Sequence, residues 1–235
     1  FYGFEKVIST FADGTYTVSE YYNREYYSKG VLKVSSSYSA DNVLLARSKT
    51  ELCSSPYALP EKEESWTYEK TSGTTNVIHT STIYEYDEYG NCTKVTQDFG
   101  DSESLTGEII YDNSNVADYI IGLPVDIYVY GTDGELLRHH SGDYDEYGQL
   151  KELRQYFDVY NFSSNFLTYD KFGNIKRISD SRGATIAYDY DEEENMFVTE
   201  ISQSGKDTDT YRSFIDYDVA TQTKTSETDC NGNTL

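Results

Sequence analysis

The chain has 235 residues, enough for one large β domain, and its 41 Asp and Glu against 19 Lys and Arg give a net charge of −22. Such a charge repels phosphate backbones and anionic lipids, so neither nucleic acid nor a membrane surface is an expected partner. Aromatic residues make up 15% of the chain, with 25 tyrosines, which excludes a typical disordered composition and favours a tyrosine-rich sheet.

Other classes of protein are also disfavoured. Cys53, Cys92 and Cys230 are far apart and lack Cys-x-x-Cys spacing, so neither a disulfide framework nor a zinc site is predicted. No apolar run reaches the length of a membrane span, and no signal peptide or nucleotide-binding loop is visible. We therefore expect no cofactor, no metal and no membrane span in this chain.

Residues 1–83 predict N-terminal β-hairpins. An Asp-Gly pair at 13–14 separates two extended runs, which is a strong local hairpin signal. A second turn is predicted near the Lys-Gly pair at 29–30. Residues 50–65 hold two of the 3 prolines and the acidic run 61–64, so this segment predicts a long Pro/Glu-rich loop.

From residue 84 onward the chain is an irregular tandem array of one pattern. The pattern is a Tyr-Asp pair, two variable residues and a glycine, and it occurs at 86–90, 144–148 and 169–173. Glycine adopts a positive φ without a Cβ clash, and the Asp carboxylate can accept backbone N–H bonds across the turn, so each copy predicts a hairpin. With a further Asp-x-x-Gly, the predicted structural turn residues are Tyr86, Asp87, Gly90, Tyr144, Asp145, Gly148, Tyr169, Asp170, Gly173, Asp180 and Gly183.

The apolar pattern after each turn is unusual. Two apolar residues stand three positions apart, as at Ile175 and Ile178, whereas a one-sided strand requires a spacing of two. A β-bulge after the turn and a sheet covered on both faces both explain this, and the sequence leaves the choice open. Because single hairpins are marginal, we predict an all-β fold of tandem antiparallel hairpins in a curved or spiralling sheet, with residues 1–83 and 84–235 continuous.

The stretch from Tyr169 to Asp191 resembles the repeat of the YD-repeat, or Rhs, family, whose unit continues from Gly-Asn through an apolar run to Asp-x-x-Gly and Tyr-x-Tyr-Asp. The Ile-Gly-Leu-Pro segment at 121–124, with the run at 133–137, is similar to repeats of toxin-complex and SpvB-like members. The resemblance covers residues 84–235 well and 1–83 only in general character. It implies repeats that spiral into a shell, which encloses a polypeptide or presents a surface to another cell.

Catalytic candidates are weak. A nucleophilic triad needs a base, and the histidines are His79, His139 and His140. The histidine pair stands near Ser141 and Asp143, but triad partners normally converge from distant segments, and neighbours on a strand point to opposite faces. No catalytic residue is predicted, and the chain is expected not to be an enzyme.

Acidic clusters at 143–146 and 189–194 offer carboxylates of the kind that calcium binds. Neither has the EF-hand spacing, so a solvated charged surface is the favoured interpretation.

The sequence thus predicts a non-enzymatic structural and interaction module, part of a YD-repeat shell or cell-surface scaffold of a larger exported bacterial protein. Its partner is the rest of its own longer chain, with an enclosed polypeptide or a cell-surface glycan as further candidates, and its expected location is extracellular or at the cell surface. The alternative is a carbohydrate-binding or adhesion module that uses exposed tyrosines, for which Tyr21, Tyr22, Tyr26 and Tyr27 are candidates.

Overall fold

A computed structural model describes residues 3–54, 57–71, 74–206, 208–218 and 220–235. Within these ranges the chain forms 17 β-strands, and its only helical element is one 3₁₀ turn, Val116–Asp118. Within each of the two compact units described below, the ladders are antiparallel and join strands that are neighbours in the sequence. The predicted all-β fold of tandem antiparallel hairpins is confirmed.

The chain divides into two compact units. Unit 1 comprises Phe1–Tyr111 and Ile127–Arg138, and unit 2 comprises Asp112–Asp126 and His139–Leu235. The strands of unit 1 are β1 Lys6–Thr10, β2 Tyr16–Tyr22, β3 Val31–Tyr38, β4 Leu44–Leu52, β5 Pro60–Thr71, β6 Thr74–Tyr86, β7 Cys92–Gly100 and β8 Glu103–Asp112. Three strands have residues in both units: β9 Leu123–Tyr130, β10 Leu136–Tyr144, and β8, which lies in unit 1 except for its last residue, Asp112. Those of unit 2 are β11 Leu150–Tyr156, β12 Phe162–Tyr169, β13 Ile175–Asp180, β14 Thr185–Tyr190, β15 Val198–Ser204, β16 Thr210–Asp218 and β17 Thr223–Thr228.

In unit 1 the ladder runs in sequence order from β1 to β8. Residue 84, where the sequence pattern changes, lies inside β6 and does not interrupt the ladder. In unit 2 the ladder runs in the same way from β10 to β17. Each hairpin therefore pairs its strands with the strands that precede and follow it in the chain.

A β-bulge explains the three-residue spacing of apolar positions. In the β12–β13 ladder Tyr169 pairs with Ile175 and Thr168 pairs with Arg177, so Lys176 is the extra residue. The bulge places Ile175 and Ile178 on one face, because their partners Tyr169 and Leu167 are two residues apart. The same shift follows the turns at 87–91 and 145–149. Of the two explanations that the sequence left open, the structure shows the β-bulge.

The bulges give each unit two chemically distinct faces, assigned here from the strand registers. We call the first the tyrosine face; in unit 2 it carries Tyr144, Leu150, Leu153, Leu167, Tyr169, Ile175, Ile178, Tyr188, Tyr190 and Ile201. We call the second the charged face; in unit 2 it carries His139, Ser141, Asp143, Glu152, Arg154, Ser164, Arg177, Glu200 and Arg212. In unit 1 the tyrosine face carries Tyr84, Tyr86, Val95 and Tyr111, and the charged face carries Glu64, Trp66, Lys94 and Glu108.

The units contain little buried material. Among the described residues no apolar side chain is buried, and the buried residues are the serines Ser36, Ser141 and Ser164. Stability must therefore come from the ladder hydrogen bonds, the half-buried tyrosine face and cross-strand pairs such as Lys94–Glu108 at 3.0 Å.

The predicted Pro/Glu-rich loop at 50–65 is wrong in extent. β4 continues to Leu52 and β5 begins at Pro60, so both ends of the predicted loop are strand, and between them the Cys53 N–H donates to the Leu59 carbonyl at 2.9 Å. Residues 55 and 56 of the predicted loop lie outside the described residues. Proline is accepted as the first residue of a strand, where it need not donate to the ladder. The acidic run lies within β5, where Lys62 pairs with Glu64 at 2.8 Å.

Candidate functional site

The Tyr-Asp turns, residues 87–91, 145–149 and 170–174, share one hydrogen-bond geometry. In 170–174 the Asp170 carboxylate accepts the N–H groups of Phe172 at 2.8 Å and Asn174 at 3.0 Å. The Gly173 N–H donates to the Asp170 carbonyl at 3.2 Å, and the side-chain amide of Asn174 donates to the second carboxylate oxygen at 3.0 Å. Although desolvation acts to raise it, these hydrogen bonds lower the pKa of Asp170.

The other predicted turn residues occupy equivalent places. Asp87 accepts from Tyr89 and Asn91, each at 2.9 Å, and Asp145 accepts from Tyr147 and Gln149, each at 2.9 Å. The turn glycines have φ values of +89° at Gly90, +79° at Gly148, +91° at Gly173 and +89° at Gly183. Asp180 accepts from Arg182 and Ala184 in the same way, in the β13–β14 connection.

A fifth turn of this kind lies at residues 229–233. Asp229 accepts from Asn231 at 2.9 Å and Asn233 at 2.8 Å, and Gly232 has a φ of +85°. Thr228, not tyrosine, precedes this Asp, so the Tyr-Asp pattern does not detect it. The Asp-x-x-Gly spacing alone identifies the turn.

The tyrosines that precede the Tyr-Asp turns act as tethers. Tyr169, at the end of β12, donates its hydroxyl to the Leu150 carbonyl at 2.9 Å, and Leu150 is the first residue of β11. Because Leu150 directly follows the turn 145–149, the hydroxyl links one Tyr-Asp turn to the next. Tyr86 donates to Pro60 at 2.8 Å, and burial raises the pKa of Tyr86 to about 12, so the phenol remains a donor.

The same tether occurs at tyrosines outside the predicted set. Tyr111 donates to the Cys92 carbonyl at 3.0 Å, and Tyr190 donates to the Ile175 carbonyl at 2.9 Å. In both cases the acceptor begins the preceding strand and directly follows a Tyr-Asp turn. The sequence signal is a tyrosine as the last or next-to-last residue of β6, β8, β10, β12 and β14.

The acidic cluster at 189–194 contains a turn of different length. The two Asp191 oxygens accept from the N–H groups of Glu194, Asn195, Met196 and Phe197 at 2.6, 3.2, 2.9 and 2.8 Å. These bonds lower the pKa of Asp191 to about 2, and the bond from Phe197 has the largest effect on it. Within the described ranges, no group of three or more metal-ligating side chains is placed to hold an ion, so the calcium interpretation gains no support.

His79 and His139 lie on the charged face, whereas the strand register places His140 on the tyrosine face. The His139 ring is 2.7 Å from an Asp126 carboxylate oxygen and stacks on Tyr156 with ring centroids 3.9 Å apart. Asp143, the acid considered with it in the sequence, pairs instead with Lys151 at 3.3 Å. Ser141 is 8% exposed, and its hydroxyl lies 3.5 Å from that of Tyr156. His79 similarly stacks on Trp66, with ring centroids 4.9 Å apart.

The tyrosines proposed for sugar binding lie around the connection between β2 and β3. Tyr21, Tyr22 and Tyr27 line an open pocket of about 660 Å³, whereas Tyr26 packs against Tyr27 with ring centroids 5.3 Å apart. The sequence did not anticipate that Glu5, which precedes β1, and Lys6, its first residue, complete this pocket.

Comparison with known proteins identifies the fold. The crystal structure of TcdB2-TccC3-TEV matches 95% of this chain with a TM-score of 0.55 at 15% sequence identity. The crystal structure of TcdB2-TccC3-Cdc42 matches 95% of the chain with a TM-score of 0.48 at 16% identity. The structure of the Photorhabdus luminescens Tc holotoxin pore matches 97% with a TM-score of 0.41 at 12% identity. The chain spans only 11% of the first of these chains, 12% of the second and 14% of the third.

The first likeness establishes a shared fold, and the resemblance to YD-repeat proteins is confirmed at this level. No family model matches the sequence, and no curated protein is significantly similar to it. In the part of the chain that the structure describes, no helix is both long and apolar enough to cross a membrane.

Proposed function

We propose that this chain is a structural and interaction module, a section of a YD-repeat sheet within the shell or cell-surface scaffold of a larger exported bacterial protein. The observation that carries the proposal is the repeated tether. Tyrosine hydroxyls at the ends of β8, β12 and β14 bind the residue that follows an earlier Tyr-Asp turn. A hydrogen bond that is repeated in this way serves to hold successive hairpins in register.

Two further observations support a scaffold. The ladders connect strands in chain order, as expected for a repeat array in which each hairpin is stabilised by its neighbours. The matched fold belongs to a chain much longer than this one, since the match spans 11% of it. The rest of its own longer chain is thus the proposed first partner, with an enclosed polypeptide as the proposed cargo.

The scaffold proposal is tested by determining the structure of the parent protein by electron cryomicroscopy. We expect the outer edge of β1 to pair with a strand from the preceding part of the chain. A parent protein in which this chain stands as a separate domain, with that edge in solvent, would contradict the scaffold role. Cell fractionation of the native host tests the proposed extracellular or cell-surface location.

The proposed module is not an enzyme. His139 and Asp126 form a close pair, but the ring is stacked on Tyr156 and the nearby Ser141 hydroxyl is largely covered. This arrangement suits a structural pair on the charged face. Turnover in a panel of ester, peptide and glycoside substrates, abolished by His139→Ala in a folded variant, would overturn this part of the proposal.

A second candidate function is carbohydrate binding or adhesion. It is favoured by exposed aromatic side chains on the turn loops, among them Tyr27 at 69%, Tyr57 at 64% and Tyr147 at 74% exposure. The turn 145–149 is closed by backbone and Asp145 contacts, so the Tyr147 ring has no part in its geometry. Exposed tyrosines are well suited to contacts with apolar faces and hydroxyl groups of a partner.

A further inference from the structure

The pocket beside the β2–β3 connection is formed by several segments of unit 1. Its walls are the start of β1 with the residue before it, the end of β2, the segment 23–30, Lys33 of β3, and the end of β4 with Cys53 and Ala58 beyond it. The volume of about 660 Å³ falls in the range of small-molecule sites, which is roughly 300–1,000 Å³.

The segment 23–30 is held at its base by one side chain. Asn23 accepts the Gly30 N–H at 2.6 Å and donates its amide to the Phe4 carbonyl at 2.6 Å. This arrangement fixes both ends of the segment and ties it to the chain before β1. The pocket wall is therefore positioned by the fold.

The aromatic rings of this wall are supported in place. Tyr26 and Tyr27 meet edge to face at an interplanar angle of 90°, and the Lys29 ammonium lies 4.0 Å from the centre of the Tyr26 ring. Such contacts limit the motion of the Tyr27 ring before any ligand arrives. Tyr27 is 69% exposed and lines the pocket, so its ring is available as a flat stacking surface.

The charges around the pocket are balanced. Three acidic residues, Glu5, Glu20 and Glu25, and three basic residues, Lys6, Arg24 and Lys33, line it. Arg24 pairs with Glu5 at 3.0 Å and Lys6 pairs with Glu20 at 3.7 Å. Charged side chains of both signs offer hydrogen-bond donors and acceptors without a net field that would select an ion.

These features define the ligand class. An anion is repelled by a chain with a net charge of −22, and a purely apolar ligand would desolvate the ion pairs without replacing their hydrogen bonds to water. A neutral sugar presents C–H faces to tyrosine rings and hydroxyls to carboxylates and amines. We propose that this pocket is a binding site for an uncharged oligosaccharide, with Tyr27 as the stacking platform and Glu25 as a hydroxyl acceptor. This inference rests on the second candidate function above.

The test is a glycan array of neutral and anionic oligosaccharides probed with the full chain, followed by calorimetric titration of each glycan bound. We expect neutral glycans to bind, Tyr27→Ala to weaken binding roughly tenfold or more, and Glu25→Gln to weaken it less. The matched control is Tyr147→Ala, which removes an equally exposed tyrosine from a Tyr-Asp turn of unit 2 and is expected to leave binding unchanged. Melting temperatures establish that each variant is folded.

Two kinds of outcome would contradict the proposed binding site. A blank array, or binding of anionic glycans only, contradicts both the site and its ligand class. If the binding of neutral glycans survives Tyr27→Ala but is lost in Tyr147→Ala, the adhesion function stands and this pocket is not its site. None of these outcomes bears on the scaffold role, which depends on the tethers.

Discussion

Residues 87–91 and residues 23–30 both connect a strand of unit 1 to the next, yet they use their polar groups differently. In 87–91 the Asp87 carboxylate accepts two backbone N–H groups and the Asn91 side-chain amide, so the whole loop takes part in its own closure. In 23–30 closure depends on Asn23 at the base, and the residues beyond it present tyrosines and charges to a pocket. A minimal turn thus serves architecture, whereas a longer one leaves side chains available for binding.

Valine substitutions at the turn glycines test the contrast between the connections 87–91 and 23–30 most strongly. Gly90→Val is expected to destabilise the chain by roughly 1–3 kcal/mol, because a β-branched residue resists the φ of +89° and the closed turn cannot relax. Gly30→Val, at a φ of +80° but with nothing within 4 Å of an added Cβ, is expected to cost less because the longer segment can adjust. Urea unfolding measures both.

Gly173→Val, at a φ of +91°, is expected to behave like the Gly90 variant. Equal losses at Gly90 and Gly30 would show that the two connections are not mechanically different.

The tether provides the next largest effect. Tyr86→Phe removes the hydroxyl that donates to the Pro60 carbonyl at 2.8 Å and is expected to cost about 0.5–1.5 kcal/mol in unfolding free energy. The control is Tyr89→Phe in the turn itself, where the hydroxyl is not a tether and the change is expected to be within about 0.5 kcal/mol. Indistinguishable melting temperatures for the two variants would remove the tether from the account.

The connection 191–197 offers an intermediate case, a longer loop closed by one carboxylate. The pKa of Asp191 is lowered from 3.8 to about 2 in the folded chain, so its stabilising contribution is present above pH 3.8 and is lost as the pH falls through about 2. Thermal melts of the wild type and Asp191→Asn should differ at neutral pH and converge at low pH. A difference that is constant with pH would mean that the ionised carboxylate does not close this loop.

The smallest expected effect on stability is that of a substitution in the segment 23–30. Tyr27→Ala is expected to change the unfolding free energy by no more than about 0.5 kcal/mol, because the ring is 69% exposed. A larger loss in thermal melts would indicate that Tyr27 packs for stability, and the contrast between the two connections would weaken.

Much of the architecture could be predicted because turn chemistry is local. The Asp-x-x-Gly spacing specifies a positive φ and a carboxylate acceptor within five residues, and Asp170 and Gly173 lie as that spacing requires. The bulge at Lys176 could not be chosen, because it depends on the register of the paired strand. The 50–65 segment was mispredicted because Glu61 to Glu64 resemble a solvated loop, whereas Lys62 and Glu64 pair on the charged face of β5.

The tyrosine tethers and the pocket beside the β2–β3 connection were predictable only in part. The tethers join atoms far apart in the sequence, as Tyr169 and Leu150 are 19 residues apart, and no local pattern specifies such a contact. The cluster of tyrosines at 21–27 drew attention to the pocket, but Glu5 and Lys6 reach it through the pairing of β1 with β2, as in the Lys6–Glu20 pair.

Hydrogen exchange of the backbone amides in the wild-type chain tests the central claim most directly. The amides of Asp87, Tyr89, Gly90 and Asn91 each donate a hydrogen bond within their turn, so we predict protection comparable to that of the flanking strands β6 and β7. Residues 24–29 should exchange much faster. Exchange in 87–91 as fast as in 24–29 would contradict the conclusion that the Tyr-Asp turns are the fixed points of the sheet.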